Sequence, residues 1–154
     1  MTYRERYAAA HLRYQHERYP SATRDFGPLQ TKFPNVDKAN GLTTFICNFL
    51  NWSGHRATRI SSSGRLIDSP QRMDSGISLM TKKWISGSTR RGSSDISSTI
   101  NGRSVMWEVK IGSDKPSEYQ LKEQQREEAA GGKYFFVKTP DEFFEMYDKI
   151  INLA

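Results

Sequence analysis

The stretch GSSDISSTINGRSVMWEVK, residues 92–110, contains two β-like runs on either side of an Asn-Gly pair. Asn-Gly between alternating apolar residues is a strong signal for a two-residue hairpin loop, because both loop positions need positive φ. With Asn101 and Gly102 in the loop, Ile100 is expected to pair with Arg103. Counting outward from that pair places Asp95 and Glu108 directly opposite each other on neighbouring strands.

The alternation of side chains along a strand divides this hairpin into two faces. Asp95, Glu108 and Lys110 share one face. The opposite face is apolar and is expected to contact a hydrophobic core through Ile96, Ile100, Val105, Trp107 and Val109. The hairpin therefore combines a core-facing layer with a face on which two acids lie beside a lysine.

Two carboxylates that face each other across a strand pair repel and destabilise the hairpin. Three arrangements offset this repulsion: full solvation at an exposed face, neutralisation by Lys110, or a divalent cation between the carboxylates. Mg²⁺ suits the third, because it takes one or two carboxylates together with water and substrate phosphate. Lys110 then lies beside the metal, where it orients or deprotonates a water or stabilises developing negative charge. The residues themselves leave the three arrangements open.

The acidic residue, the spacer and the Glu-X-Lys triplet resemble the PD-(D/E)XK nuclease superfamily. Asp95 lies in SSDI, and Glu108 and Lys110 lie in WEVK. More narrowly, GSSDIS…WEVK…SEYQ…AAGGKYFFV is similar to the branch that contains VRR-NUC proteins, archaeal Holliday-junction resolvases and small phage-encoded proteins. That branch carries a Ser-X-X-Gln on the next helix, which corresponds here to Ser117 and Gln120. The resemblance covers roughly residues 38–150.

The resemblance implies an α/β fold with a restriction-endonuclease-like core, in which a mixed central sheet is flanked by helices. The implied order is αβββαβ with an extra C-terminal helix. Asp95, Glu108 and the Val109 carbonyl would bind Mg²⁺, for which Mn²⁺ can substitute. Lys110 would position the attacking water, and Gln120 would assist at the edge of the site. The implied activity is metal-dependent hydrolysis of DNA phosphodiesters.

Two positions depart from this pattern or have a second interpretation. Ser117 and Gln120 also form the sequence of a helix capping box, and both interpretations stay open. Many relatives carry a metal-binding glutamate near the start of the first core helix, whereas the stretch VDKANGLTT has Asp37 and Asn40 but no Glu. Asn40 is therefore an expected accessory residue that contacts the metal through water, unless the site holds a single metal.

The net charge of +6 is unevenly distributed along the chain. Residues 52–115 hold eleven Lys or Arg and five Asp or Glu, whereas residues 116–154 hold five and eight. A basic segment favours a polyanionic partner, although a solvated basic surface explains the charge equally well. Base-reading motifs are absent, so recognition is expected to follow the DNA backbone or its branching. The predicted phosphate contacts are Arg56, Arg59, Arg65, Lys82, Lys83, Arg90, Arg91 and Lys115.

Helical periodicity predicts a helix over about residues 2–19 and a second one in VDKANGLTTFICNFLNWSG, residues 36–54, with a strand after it over about 55–60. The apolar stripe of the second helix is Leu42, Phe45, Ile46, Phe49 and Leu50. Residues 61–93 are rich in Ser, Gly and cations and read as irregular, with one strand near TKKWIS. A polar helix over about 117–130, the strand KYFFVK and the capped helix TPDEFFEMYDKII complete the chain. Residues 1–36 are predicted to be an N-terminal helix and connector, and residues 37–154 the nuclease-like domain.

The chain has neither an apolar run long enough to span a membrane nor an apolar signal core at its N-terminus, so a cytoplasmic protein without a membrane partner is expected. The resemblance also implies selective cleavage of branched DNA, which would need two active sites that face two strands and therefore a symmetric homodimer. The alternative function is a nucleic-acid-binding module that keeps the nuclease fold with weak or no catalysis.

Overall fold

The fold is that of a computed structural model, which describes residues 1–60, 65–72, 78–85 and 92–152. Within these ranges the chain forms helices and strands in a mixed order. In chain order they are α1 (Tyr3–Arg18), α2 (Pro20–Phe26), α3 (Ala39–Trp52), β1 (Arg56–Arg59), β2 (Arg65–Arg72), β3 (Ser78–Ile85), β4 (Ile96–Ile100), β5 (Arg103–Val109), α4 (Glu118–Ala129), β6 (Lys133–Val137) and α5 (Pro140–Asn152).

Four strands form the central sheet in the order β1–β4–β5–β6. β4 is antiparallel to both β1 and β5, and β6 runs parallel to β5. Ile100 pairs with Arg103, as the turn predicted. Asn101 and Gly102 have φ of 49° and 77°, which is the left-handed region that this loop needs. The α/β class, the mixed sheet and the hairpin register are therefore confirmed.

One face of the sheet, the core face, is covered by α3 and α5. Trp107 is fully buried there, packs against Phe143 of α5 with ring centroids 5.0 Å apart, and donates a hydrogen bond from Nε1 to Ser98 Oγ at 2.9 Å. The predicted stripe of α3 is buried against the same core through Leu42, Phe45, Ile46, Phe49 and Leu50. At about 1.5–3 kcal/mol for each large apolar side chain, this layer is the main stabilising contact of the fold.

The opposite face, called the α4 face, carries Ser97, Met106, Glu108 and Tyr134. The helix α4 covers it at the β6 side, where Gln124 donates a hydrogen bond to the Tyr134 carbonyl at 3.1 Å. No residue of α4 is buried, and its polar sequence suits a helix that covers only part of a sheet. The sheet therefore has one fully covered face and one partly covered face.

The N-terminal helix α1 packs onto the core. Tyr7 is fully buried and stacks on Phe45 with ring centroids 4.3 Å apart. Arg6 forms a bidentate ion pair with Asp148 of α5 at 2.5 and 2.8 Å. The predicted connector after α1 is partly wrong, because Pro20 begins the short helix α2, and proline is favoured at the first helical position.

The irregular segment predicted over residues 61–93 contains a two-stranded antiparallel ribbon, β2 paired with β3. The strand near TKKWIS was predicted, whereas β2 was not. Pro70 in β2 argues against a central strand, but each strand of an isolated ribbon has a free edge, where a missing N–H donor is tolerated. The ribbon is inserted between β1 and the residues that lead into β4.

Candidate metal-binding site

Asp95 lies at the end of the sheet, immediately before β4. Its carbonyl accepts a hydrogen bond from the Ile60 N–H at 2.8 Å, and its carboxylate oxygen Oδ2 accepts one from the Val109 N–H at 2.9 Å. The first ladder pair is Ile96 with Trp107, so Asp95 lies one residue beyond the paired strand. The second of these bonds holds the Asp95 carboxylate against β5 at Val109, the residue that follows Glu108 in the chain.

Glu108 and Lys110 are buried, with 5% and 6% of their surface exposed. Lys110 Nζ lies 3.2 Å from Glu108 Oε1, and its main-chain N–H donates to the Val137 carbonyl of the β6 strand at 2.9 Å. Full solvation at an exposed face, one of the three arrangements considered above, is therefore excluded for Glu108. Lys110 does neutralise Glu108, but its ammonium group contacts one oxygen of the carboxylate, Oε1.

The two oxygens of Glu108 have different surroundings. Oε1 contacts Lys110 and accepts a hydrogen bond of 2.5 Å from Gln120 Nε2. Oε2 is buried and has no hydrogen-bond partner among the described residues. A buried carboxylate oxygen without a partner costs free energy, because it has lost water and gained nothing in return. A ligand that contacts this oxygen would remove that cost.

Burial and, secondly, the negative charge of Asp95 raise the pKa of the Glu108 carboxyl to about 7, against the opposing effect of Lys110. The two acids therefore interact electrostatically, as their predicted apposition requires. With Asp95 and Glu108 both ionised and Lys110 protonated, these three side chains carry a net charge of −1. This negative net charge favours the binding of a cation.

Tyr134 is a further site residue that the sequence did not indicate. Its side chain is 1% exposed, and its hydroxyl donates to the Gly92 carbonyl at 3.3 Å. Burial, followed by the charges of Glu108 and Asp95, raises the pKa of this hydroxyl, so it lies within electrostatic reach of both acids. Alternation in KYFFVK predicts that Tyr134 and Phe136 share a face, but only the parallel pairing with β5 determines that this face is that of Glu108.

The Ser-X-X-Gln segment forms the predicted capping box, and its glutamine also contacts Glu108. Ser117 caps α4, since its Oγ accepts from the Gln120 N–H at 3.3 Å and its own N–H donates to Gln120 Oε1 at 2.9 Å. The amide nitrogen of the same Gln120 side chain donates to Glu108. One side chain therefore connects the start of α4 to the acidic pair.

Asn40 lies in the first turn of α3, where its Oδ1 accepts a hydrogen bond of 2.5 Å from Arg59. Among the described residues, the hydrogen bonds of its side chain do not reach Asp95 or Glu108. The structure therefore joins Asn40 to a basic residue of β1 and does not bring it to the acids.

Two of the described phosphate contacts that were predicted, Arg56 and Arg59, do not share a surface. Arg56 and Arg59 are both exposed on β1 but are three residues apart, so their side chains lie on opposite faces of the sheet. Lys115 is exposed before α4, and Lys82 is exposed on β3, where it pairs with Asp68. Arg90 and Arg91, and the side chains of Arg65 and Lys83, lie outside the described residues.

The donors at this end of the sheet fit a hard divalent cation. Asp95 and Glu108 supply carboxylate oxygens, and Val109 lies between Glu108 and Lys110 with its carbonyl in the main chain. Across residues 1–60, 65–72, 78–85 and 92–152, no group of three His, Cys, Asp or Glu side chains comes together. Two carboxylates suit Mg²⁺, which fills its shell with water and phosphate, better than a metal that needs three or four protein side chains.

The chain matches none of the protein-family models and none of the curated proteins with which it was compared. No helix in the described part of the chain is long and apolar enough to cross a membrane. The geometry of the site therefore carries the functional conclusion.

Proposed function

We propose that this protein is a metal-dependent endonuclease that hydrolyses DNA phosphodiester bonds. The observation that carries the proposal is the Glu108 carboxylate, which is buried beside Asp95 with its Oε2 lacking a partner among the described residues. A divalent cation would give this oxygen a ligand and remove the repulsion between the two acids.

The order of the elements supports a restriction-endonuclease-like core. With the β2–β3 ribbon treated as an insertion, the chain from α3 onward runs α3, β1, β4, β5, α4, β6. This is the αβββαβ order, and α5 is the additional C-terminal helix. Residues 1–36 would then be an N-terminal addition whose helix packs on the core of the nuclease-like domain.

In this proposal Asp95, Glu108 and the Val109 carbonyl hold Mg²⁺, and Gln120 keeps the Glu108 carboxylate in place. A bound Mg²⁺ would neutralise charge on the scissile phosphate and lower the pKa of a water molecule. Lys110 is held against Glu108, where its ammonium group orients a water and stabilises negative charge on the phosphate. In the reaction, a water oxygen would bond to phosphorus and give a proton to solvent, while the bond from phosphorus to the leaving sugar oxygen breaks and that oxygen takes up a proton from solvent.

The basic segment would bind the DNA backbone. Among the described cations, the candidates for this contact are Arg56 on the α4 face and Lys115 before α4. Base-reading motifs are absent from the sequence, so cleavage would depend on DNA structure and not on sequence. Selective cutting of a branched or Holliday-junction-like substrate would require two copies of the site, which a homodimer supplies.

The test is cleavage of labelled DNA by the purified chain, with a four-way junction and a linear duplex of the same arms. Cleavage is expected with Mg²⁺ or Mn²⁺ and not in EDTA. It should be lost in Asp95→Asn and Lys110→Gln and retained in Asp114→Asn, which removes an exposed carboxylate on the loop after β5. Cleavage by Asp95→Asn at the wild-type rate would contradict the proposal.

A binding module with weak or no catalysis is the second candidate. Two observations favour it: Asn40 is bonded to Arg59, and within the described residues only two carboxylates meet at the site. This candidate predicts salt-sensitive DNA binding without cleavage in either metal. The cleavage assay therefore decides between the two.

A further inference from the structure

The α4 face is open over the β1 and β4 strands. The helix α4 covers the sheet at β6, and no described element covers the other half of this face. Thr58 and Thr99 are exposed there, on the edge strand β1 and on its neighbour β4. A shallow groove of about 220 Å³ follows this surface, lined by Arg56, Thr58, Ile60, Ser97, Ser98 and Thr99.

The groove and the acidic pair lie on the same face. Thr58 pairs with Ser97, and Ser97 pairs in turn with Met106, which precedes Glu108 by two residues on β5. Partners in an antiparallel pair share a face, as do residues two apart on a strand. At one end the groove reaches Ile60, whose N–H is bonded to the Asp95 carbonyl. A ligand that occupies the groove would therefore extend towards the proposed metal-binding carboxylates.

The lining of the groove suits a sugar-phosphate backbone. Thr58, Ser97 and Thr99 present hydroxyl groups, and Arg56 adds a positive charge at the end away from Asp95. Ser, Thr and Arg side chains are common donors to phosphate oxygens. The lining includes no aromatic residue on which a base could stack, and its polar character does not suit an apolar protein interface.

We propose that this groove binds the backbone of one DNA strand and delivers it to Asp95 and Glu108. The proposal deepens the proposed function and rests on it for the identity of the polyanion. The four steps from Asp95 to Thr99 span about 13 Å along the strand, at about 3.3 Å per residue. The groove therefore contacts a short stretch of strand next to the scissile bond, without reading its sequence.

The experiment measures binding of a labelled, mixed-sequence single-stranded oligonucleotide in EDTA, where metal-dependent cleavage is absent. Arg56→Gln and Arg59→Gln are compared, because both remove one exposed arginine of β1 but from opposite faces; Arg59→Gln also removes the hydrogen bond to Asn40. A triple variant, Thr58→Val, Ser97→Ala and Thr99→Val, removes the hydroxyls while keeping charge and strand propensity. Thermal unfolding of each variant establishes that the fold is retained.

We expect Arg56→Gln to weaken binding and to reduce the slope of log K against log salt by about one, because one phosphate contact is lost. Arg59→Gln should leave both quantities close to wild type. The hydroxyl variant should weaken binding by about five-fold or more with an unchanged salt slope, since neutral hydrogen bonds release no counterions.

Equal effects of Arg56→Gln and Arg59→Gln would overturn the proposal. DNA binding would then depend on the loss of a positive charge and not on the sheet face that carries it. Wild-type affinity in the hydroxyl variant, or no binding by the wild-type chain, would overturn it as well. These outcomes are independent of the cleavage assay. A chain that binds through the groove but does not cut DNA with Mg²⁺ would refute the proposed nuclease activity alone.

Discussion

The side chain of Gln120 joins a helix terminus to a buried acid. Its carbonyl oxygen accepts from the Ser117 N–H, and its amide nitrogen donates to Glu108 Oε1. A single residue thereby satisfies a main-chain donor of α4 and half of a buried carboxylate. The same contact leaves Oε2 of Glu108 as the oxygen without a partner among the described residues.

The two roles of the capping box can be separated by mutation. Ser117→Ala should lower the free energy of unfolding by about 1 kcal/mol, the usual value of such a cap. It should leave cleavage close to wild type, because Gln120 still reaches Glu108. Gln120→Ala should lower stability at least as much and also reduce cleavage about ten-fold. Urea denaturation and initial cleavage rates check both variants; equal rates would show that Gln120 acts only as a cap.

Asp95→Asn should leave the metal-free protein as stable as wild type, or slightly more stable, at pH 8. Asparagine keeps an oxygen that can accept from the Val109 N–H, and it removes the charge that repels Glu108. Asp114→Asn, an exposed control, should change the free energy of unfolding by less than about 0.5 kcal/mol. Urea denaturation in EDTA measures both, and a large loss of stability in Asp95→Asn would contradict the metal site.

Glu108 should make the metal-free protein less stable as the pH rises from about 5 to 8. Its pKa is raised in the folded state, so the folded chain holds this proton when the unfolded chain has lost it. Stability from this group is therefore lost as the pH rises through about 7. The full effect is on the order of 3 kcal/mol, the equivalent of a shift of between two and three pKa units.

The histidines make the opposite contribution, because burial lowers the pKa of both His11 and His55. The Glu108 component is therefore taken as the difference between wild type and Glu108→Gln over the pH series in EDTA. Mg²⁺ should stabilise wild type more at pH 8 than at pH 5.5, since binding needs the ionised carboxylate. The same stabilisation in Glu108→Gln would contradict the assignment of this residue as a ligand.

Gly92→Ala should destabilise the protein by about 2 kcal/mol or more and impair cleavage. Gly92 has φ of +87°, and an added Cβ would lie 2.5 Å from the Tyr119 carbonyl oxygen in the first turn of α4. The clash would displace Gln120, whose N–H lies at the same place. Gly54→Ala is the matched control, because φ is +82° there and nothing lies within 4 Å. It should cost only the left-handed backbone penalty, about 1 kcal/mol.

The hairpin was predictable from sequence to the level of individual pairs. Asn101 and Gly102 determine the loop, and the period of two then determines which side chains share a face. The same local reasoning did not find β2, because Pro70 and the surrounding polar residues lack a strand pattern. It also grouped Arg56 with Arg59, although alternation along β1 separates them to opposite faces of the sheet.

The amino-acid sequence by itself determined the apposition of Asp95 and Glu108, because a two-residue turn and the strand period act over a few bonds. Only the tertiary structure decided that Glu108 and Lys110 are buried, that Tyr134 joins them, and that no described element covers β1 and β4 on the α4 face. These features depend on where α4 and β6 pack, at separations along the chain that local backbone preferences do not encode. That packing buries Oε2 of Glu108 away from water, and this burial makes the acidic pair a candidate metal site.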